Sequence, residues 1–204
     1  PVTRDRDATI KKSLNALGIG AQSFSGMVMF EPWTVATGGG SYYRVYTPFW
    51  KAVRGRDVTP PLDAPDQIAA PKIWPKSDIL TDWDLGRAMK RGAGIVRPYL
   101  CLGEAAAQQR IHNFMEKDIS QYHKLRDIPS LAATSGLSEN LTFGEISPAQ
   151  CWHAGQRALG LGAPGAETFL KEIVWREFAY HLMYHTPEIL NENWKPDWDA
   201  FPWN

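Results

Sequence analysis

Three short stretches hold residue types that can do chemistry. In "TSGLSENLTFGEISP", residues 134–148, Thr134, Ser135 and Ser138 bring hydroxyls to a glycine turn ahead of an apolar run. A helix start leaves unpaired N–H groups and the positive end of the helix dipole. Hydroxyls at such a place either cap the helix or share its donors with an anion such as pyrophosphate, and spacing leaves both readings open. In "KEIVWREF", Glu172 and Trp175 stand three apart and share a helix face. A carboxylate beside an indole suits a flat ligand with N–H donors, such as a nucleobase. The plainer reading is a half-buried helix with an intrahelical Glu172–Arg176 pair. In "YHKLRD", Tyr122 and Arg126 lie four apart, and Asp127 is within reach of Arg126. Such a pair alone says little, because surface ion pairs are common and weak.

Other candidates are poorer. His181 and His185 have the i, i+4 spacing of metal ligands, but the intervening acid of a zinc-protease helix is missing and no third ligand is suggested. "TGGGS" lacks the Lys-Ser/Thr of a phosphate loop and reads as a flexible turn. Cys101 and Cys151, the two cysteines, have no CxxC spacing and no evident activating partner. They read as inert thiols in a reducing compartment.

The elements that must position these residues are mostly helical. The 204 residues, 44% of them hydrophobic, suffice for one sizeable domain with a real core. Lys plus Arg equals Asp plus Glu at 22 each, which excludes a whole-chain electrostatic nucleic-acid binder but leaves room for a local basic face. No stretch approaches the roughly 20 apolar residues of a membrane helix. The chain begins at Pro1 rather than Met, so the expectation is that its true N-terminus is missing. Nine Trp, eight Phe and seven Tyr point to a large aromatic core with interface residues, or to a platform for planar ligands.

Residues 6–17 read as a short amphipathic helix on Ile10, Leu14 and Leu17, and residues 26–32 as a strand stopped by Pro32. Thr47-Pro48 has the form of a helix start, with Phe49, Trp50 and Val53 on the buried face. Residues 55–98, rich in Pro and Asp, read as a linker over the surface, with a short helix near residues 82–91. From Leu102 the chain turns helical. Ala106, Ile111, Phe114, Ile119 and Tyr122 fall on one side of the first stretch, and a second helix follows Ser147-Pro148. The longest carries a seam of Phe169, Ile173, Phe178 and Leu182.

Taken in order, "YRVYTPFWKA", the run from "LGEAAAQQRIHNF" to "FGEISPAQCWHA", and "FLKEIVWREFAYHLMYHTPEIL" closely resemble the DNA photolyase/cryptochrome family. Bacterial cyclobutane pyrimidine dimer photolyases are the nearest branch. TS-x-LS…FGEIS-P combined with WREF is specific to this family, and the match runs from Tyr42 onward. The resemblance implies a mostly α fold: residues 96–204 as the N-terminal part of the helical FAD-binding domain, residues 33–95 as the interdomain linker, and residues 1–32 as the end of an α/β antenna domain.

The resemblance also implies roles. Tyr122 matches a tyrosine that contacts FAD. Thr134, Ser135, Gly136, Leu137 and Ser138 match the segment that wraps the FAD phosphates, and Phe169 matches an aromatic residue near the flavin. Glu172 matches the residue that bonds pyrimidine edges, and Trp175 the one that stacks on the dimer, the two carried over as catalytic. Arg126 and Arg176 match positions at the DNA and flavin-proximal surface. The implied enzyme is a deoxyribodipyrimidine photo-lyase, a monomer in the bacterial cytoplasm acting on DNA that contains pyrimidine dimers. An antenna chromophore of folate or deazaflavin type belongs to the full-length form. The competing readings are a cryptochrome-like blue-light photosensor without repair activity, and a helical interaction module without cofactor. Two local departures are Glu139-Asn140, where relatives commonly have Pro followed by an aromatic residue or His, and Ala149, where an Arg is common. The family continues past the last residue here with helices that complete the flavin cavity. The expectation is therefore that these 204 residues neither hold FAD tightly nor repair DNA alone.

Overall fold

Proline and glycine punctuation separates the helix-forming runs. The computed structural model describes residues 2–202 and has eight α-helices and no strand among them. The helices are α1 (Val2–Ala16), α2 (Tyr46–Val53), α3 (Arg91–Val96), α4 (Glu104–Lys117), α5 (Tyr122–Leu125), α6 (Ser138–Phe143), α7 (Pro148–Gly160) and α8 (Ala166–His185).

The long helix α8 is the axis of the molecule. One cluster of buried side chains packs on it through Phe169 and Ile173, drawing in Ile111 and Phe114 from α4, Tyr122 from α5, Leu137, Leu141 and Ile146. A second packs on it through Leu170, Val174 and Phe178, drawing in Phe30, Val35, Phe49, Trp50, Val53 and Trp152. Apolar residues therefore surround much of α8, as in a helix buried on more than one side. The seam expected from the sequence is half of this: Phe169, Ile173 and Phe178 are buried, but so are Leu170, Val174, Glu177 and His181. On α4 the buried alanine is Ala107, not Ala106.

Two glycines permit the close approaches. A Cβ on Gly155 would stand 2.7 Å from Leu170 Cδ2, so α7 meets α8 at this point. A Cβ on Gly165 would stand 1.9 Å from the Ile119 carbonyl oxygen, so only glycine lets the chain enter α8 beneath α5. α7 begins with a capping box: Ser147 Oγ accepts from Gln150 N at 3.1 Å, Gln150 Oε1 accepts from Ser147 N at 2.8 Å, and Pro148 opens the helix.

The N-terminal expectations need correction. Residues 26–32 form no strand. The N–H groups of Met29 and Phe30 donate to the Glu177 carboxylate at 2.7 and 3.1 Å, so a side chain of α8 satisfies them instead of a neighbouring strand. Thr47 does not cap α2, which starts two residues earlier than expected, at Tyr46, with Val45 at the cap position and no side-chain cap bond. Around residues 82–91 there are two 3-10 turns, Leu80–Trp83 and Arg87–Met89, before the short α3. Residues 59–92 are nearly all exposed. No helix among the described residues is long and apolar enough to cross a membrane.

Candidate functional site

α8, α5 and the loop before α6 enclose a cleft of about 670 Å³. Its walls include Tyr122, Thr134, Ser135, Gly136, Leu137, Ser138, Phe169, Glu172 and Arg176. Nine residues singled out in the sequence, from three separate stretches, thus converge on one place. The apolar wall is built from rings that also serve the core: Tyr122 meets Phe169 edge-on at 6.0 Å, and Phe114 supports both at 5.3 and 5.2 Å.

The 134–138 loop is held from behind. Gly136 has φ +62°, in the left-handed region that favours glycine. Arg110 Nη1 donates to the Gly136 carbonyl at 2.5 Å, to Glu139 Oε1 at 2.6 Å and to Asn140 Oδ1 at 3.0 Å. Asn140, fully buried, passes its own amide protons to the Cys101 carbonyl at 2.8 Å and to Glu145 Oε2 at 2.7 Å. Glu145 in turn accepts from Gly103 N at 2.8 Å. Glu139 and Asn140 are therefore the means by which Arg110 and the segment before α4 brace this loop. α6 has no side-chain cap, so the capping reading of Thr134, Ser135 and Ser138 is not what the structure shows; the cap lies at Ser147.

On the facing wall, Glu172 forms an ion pair with Arg126, whose guanidinium also reaches Asp127 Oδ1 at 3.2 Å and lies 5.6 Å above the Tyr122 ring centre. The bond to Glu172, ahead of all other causes, holds the Arg126 guanidinium above its usual range. Burial pushes the Tyr122 phenol up. Arg176 does not pair with Glu172. It donates to the Met27 carbonyl at 2.7 Å and to Glu177 Oε1 at 3.3 Å, and its guanidinium lies 4.8 Å from the Tyr180 ring centre.

Trp175 is not in the cleft wall. One turn along α8 from Glu172, it stacks on Tyr46 with ring centres 3.7 Å apart and planes at 7°, and it remains 46% exposed. The Tyr46 hydroxyl donates to the Lys171 carbonyl at 2.6 Å. Burial, and after it the neighbouring Glu172 carboxylate, keeps that phenol well above its usual range, so it stays a donor.

The remaining candidates are structural. His181 Nε2 accepts from Tyr43 N at 3.1 Å, and the His185 ring stacks on Tyr42 at 4.8 Å. The two histidines thereby tie α8 to the segment before α2. Among the described residues no group of three or more His, Cys, Asp or Glu gathers as a metal site. Burial pushes the Cys151 thiol up to about 12, which leaves it protonated and unreactive near neutral pH.

Sequence reasoning missed Met27 and Tyr180 on the cleft wall, Arg110 and Glu177, which hold the 134–138 loop and the Met29 segment, and Tyr46, which stacks on Trp175. Glu177 left one usable signal, an acid flanked at helical spacing by Ile173, Val174 and His181 on a helix with little polar face.

Comparison with known proteins bears on this arrangement. Residues 1–66 match the family model of DNA photolyase. The deoxyribodipyrimidine photo-lyase of Agrobacterium fabrum is 40% identical over 205 residues, covering 100% of this chain and 43% of that protein. The deoxyribodipyrimidine photo-lyase of a Synechococcus strain is 31% identical, covering 100% of this chain and 44% of its own length. Among solved structures, a bacterial class III photolyase from Agrobacterium tumefaciens superposes with a TM-score of 0.92 at 40% identity, over 100% of this chain and 43% of that one. The chain therefore spans less than half the length of these relatives.

Proposed function

We propose that this chain, whose sequence and fold are those of the DNA photolyase family, supplies one wall of a flavin cavity and part of a lesion pocket in a light-driven DNA repair enzyme. The observation that carries the reading is the convergence of Tyr122, the 134–138 loop, Phe169, Glu172 and Arg176 on one cleft.

The residues present fit FAD by their chemistry. Thr134, Ser135 and Ser138 offer hydroxyl donors for a pyrophosphate, Arg176 offers a cation, and Tyr122 with Phe169 offers an apolar wall for a planar ring system. When bound, reduced FAD supplies the light absorption and the electron that splits the cyclobutane ring. The chain's own contribution is placement. Glu172, an acceptor in its ionised form, takes the N–H groups of a pyrimidine dimer turned out of the duplex. Trp175 offers its free face to the flat lesion. Arg126, bonded to Glu172, sets that carboxylate in place and meets a flanking phosphate.

The test uses the full-length protein, a dimer-containing oligonucleotide and blue light. Repair with bound flavin supports the reading. Flavin photoreduction without repair assigns a photosensor instead. Ser138→Asp, which sets a negative charge beside the phosphate wall, should lower flavin content; unchanged content would place the flavin elsewhere or nowhere.

A further inference from the structure

Trp175 owes its orientation to a residue far away in the sequence. Tyr46, the first residue of α2, lies flat on it at 3.7 Å and 7°. Phe178 closes the corner, meeting Trp175 edge-on at 5.8 Å and Tyr46 edge-on at 5.9 Å. The Tyr46 hydroxyl donates to the Lys171 carbonyl, the oxygen that an α-helix assigns to the N–H of residue 175. One tyrosine therefore fixes the indole plane through its ring and the helical turn beneath it through its hydroxyl. Tyr46 covers one face of Trp175, and the indole keeps 46% of its surface exposed.

An unsupported half-exposed tryptophan samples several rotamers, and holding it in one place costs side-chain entropy at the moment of binding. Here that ordering is already present in the folded chain. A flat ligand arriving on the open face would complete a three-layer stack, with no rotamer change needed. Offset and parallel ring pairs are favourable beyond the area they bury.

We propose that Tyr46 is a positioning residue that holds Trp175 flat for a pyrimidine dimer. This rests on the reading that Trp175 stacks on the lesion. Tyr46 itself touches neither DNA nor flavin; it acts through Trp175.

The experiment compares dissociation constants for dimer-containing and undamaged oligonucleotides, measured on the full-length protein. Tyr46→Leu should lower the preference for the dimer about threefold to tenfold, with binding to undamaged DNA unchanged. Tyr46→Phe, which keeps the ring and loses only the hydroxyl, should retain most of that preference. Trp175→Leu should lower it at least as far, and adding Tyr46→Leu to Trp175→Leu should cost nothing more, because the two act as one unit. Should Tyr46→Leu melt below the assay temperature, Tyr46→Met fills the same space without a planar ring and takes its place. If Trp175→Leu lowers the preference and the Tyr46 variants do not, Tyr46 is only a packing residue. If the Tyr46 variants weaken damaged and undamaged DNA alike, the same conclusion holds. If Trp175→Leu itself leaves the preference unchanged, the lesion-stacking reading falls and takes this inference with it.

Discussion

The Glu172 carboxylate is bonded to the Arg126 guanidinium across the gap between α8 and α5. The two come from stretches 46 positions apart, and of the two it is Glu172 that lines the cleft. Both side chains are partly exposed, so solvent screens the pair and its stability contribution is small. Arg126→Gln is expected to cost about 1 kcal/mol or less in thermal unfolding. In the full-length protein, under the DNA-binding role proposed for Arg126, the effect on DNA affinity should be larger. The slope of log affinity against log salt should fall by about one, the share of one lost phosphate contact. A salt titration that keeps the wild-type slope would place Arg126 off the DNA.

Gly165 and Gly155 separate two kinds of close packing. The atom a Gly165 Cβ would meet is a backbone carbonyl, which cannot move without shifting α5. The atom a Gly155 Cβ would meet is the tip of Leu170, which can turn. Gly155→Ala is therefore expected to cost about 1–3 kcal/mol, less whatever alanine returns as a better helix former. Gly165→Ala should exceed it and leave little folded protein at 37 °C. Denaturant midpoints of the two variants, measured side by side, check the order.

The helical half of this fold was legible because its signals are local. Ser147-Pro148 marked α7, and the apolar spacing of Phe169, Ile173 and Phe178 marked α8. The Thr134, Ser135 and Ser138 hydroxyls, singled out in the sequence, line the cleft, yet spacing alone could not decide between cap and anion wall, since both use the same donors. The misread parts depend on distant partners. The apolar run at residues 26–32 has strand composition, but a strand needs a neighbour, and the neighbour it finds is the carboxylate of Glu177, 148 positions from Met29. Trp175 was assigned to the same face as Glu172, which is right for the helix. Its stacking on Tyr46 spans 129 positions, beyond any periodicity argument.

Glu177 is the anchor of that N-terminal segment. Its side chain is fully buried, and one carboxylate oxygen accepts both the Met29 and Phe30 N–H groups. Glu177→Leu removes the acceptor and leaves the buried Phe30 N–H and the half-buried Met29 N–H without a partner. The expected cost is about 2–6 kcal/mol, from about 1–3 for each of the two unsatisfied groups. Because Arg176 also holds the Met27 carbonyl, the segment should loosen and not detach. Amide exchange at Met29 and Phe30 should rise in this variant well above that of the α7 core. Wild-type protection at those two amides would contradict the anchor.

Glu177 and His181, one turn apart on α8, give the protein opposing responses to acid. Burial raises the Glu177 carboxyl to about 7 despite the two N–H donors and Arg176, which pull the other way. A raised folded value means stability that is full below the unfolded value near 4.5 and is lost as pH climbs through about 7. His181 runs the other way. Burial, and then the neighbouring His185, lower its imidazole from 6.5 to about 4. Its contribution is therefore full above 6.5 and is lost as pH falls towards 4. Each shift corresponds to about 3 kcal/mol. Between pH 4.5 and 6.5 the two largely cancel, and the contribution of this pair to the melting temperature should be nearly flat. Glu177→Gln removes one side of the balance, because the amide keeps an oxygen for the Met29 and Phe30 donors and does not titrate. The variant should melt progressively lower as pH drops from 6.5 to 4.5, with the curves of variant and wild type diverging across that interval. Calorimetric scans at half-unit steps decide it: parallel curves would mean that Glu177 does not titrate in the raised range, and a flat curve for the variant would mean that His181 does not titrate in the lowered one.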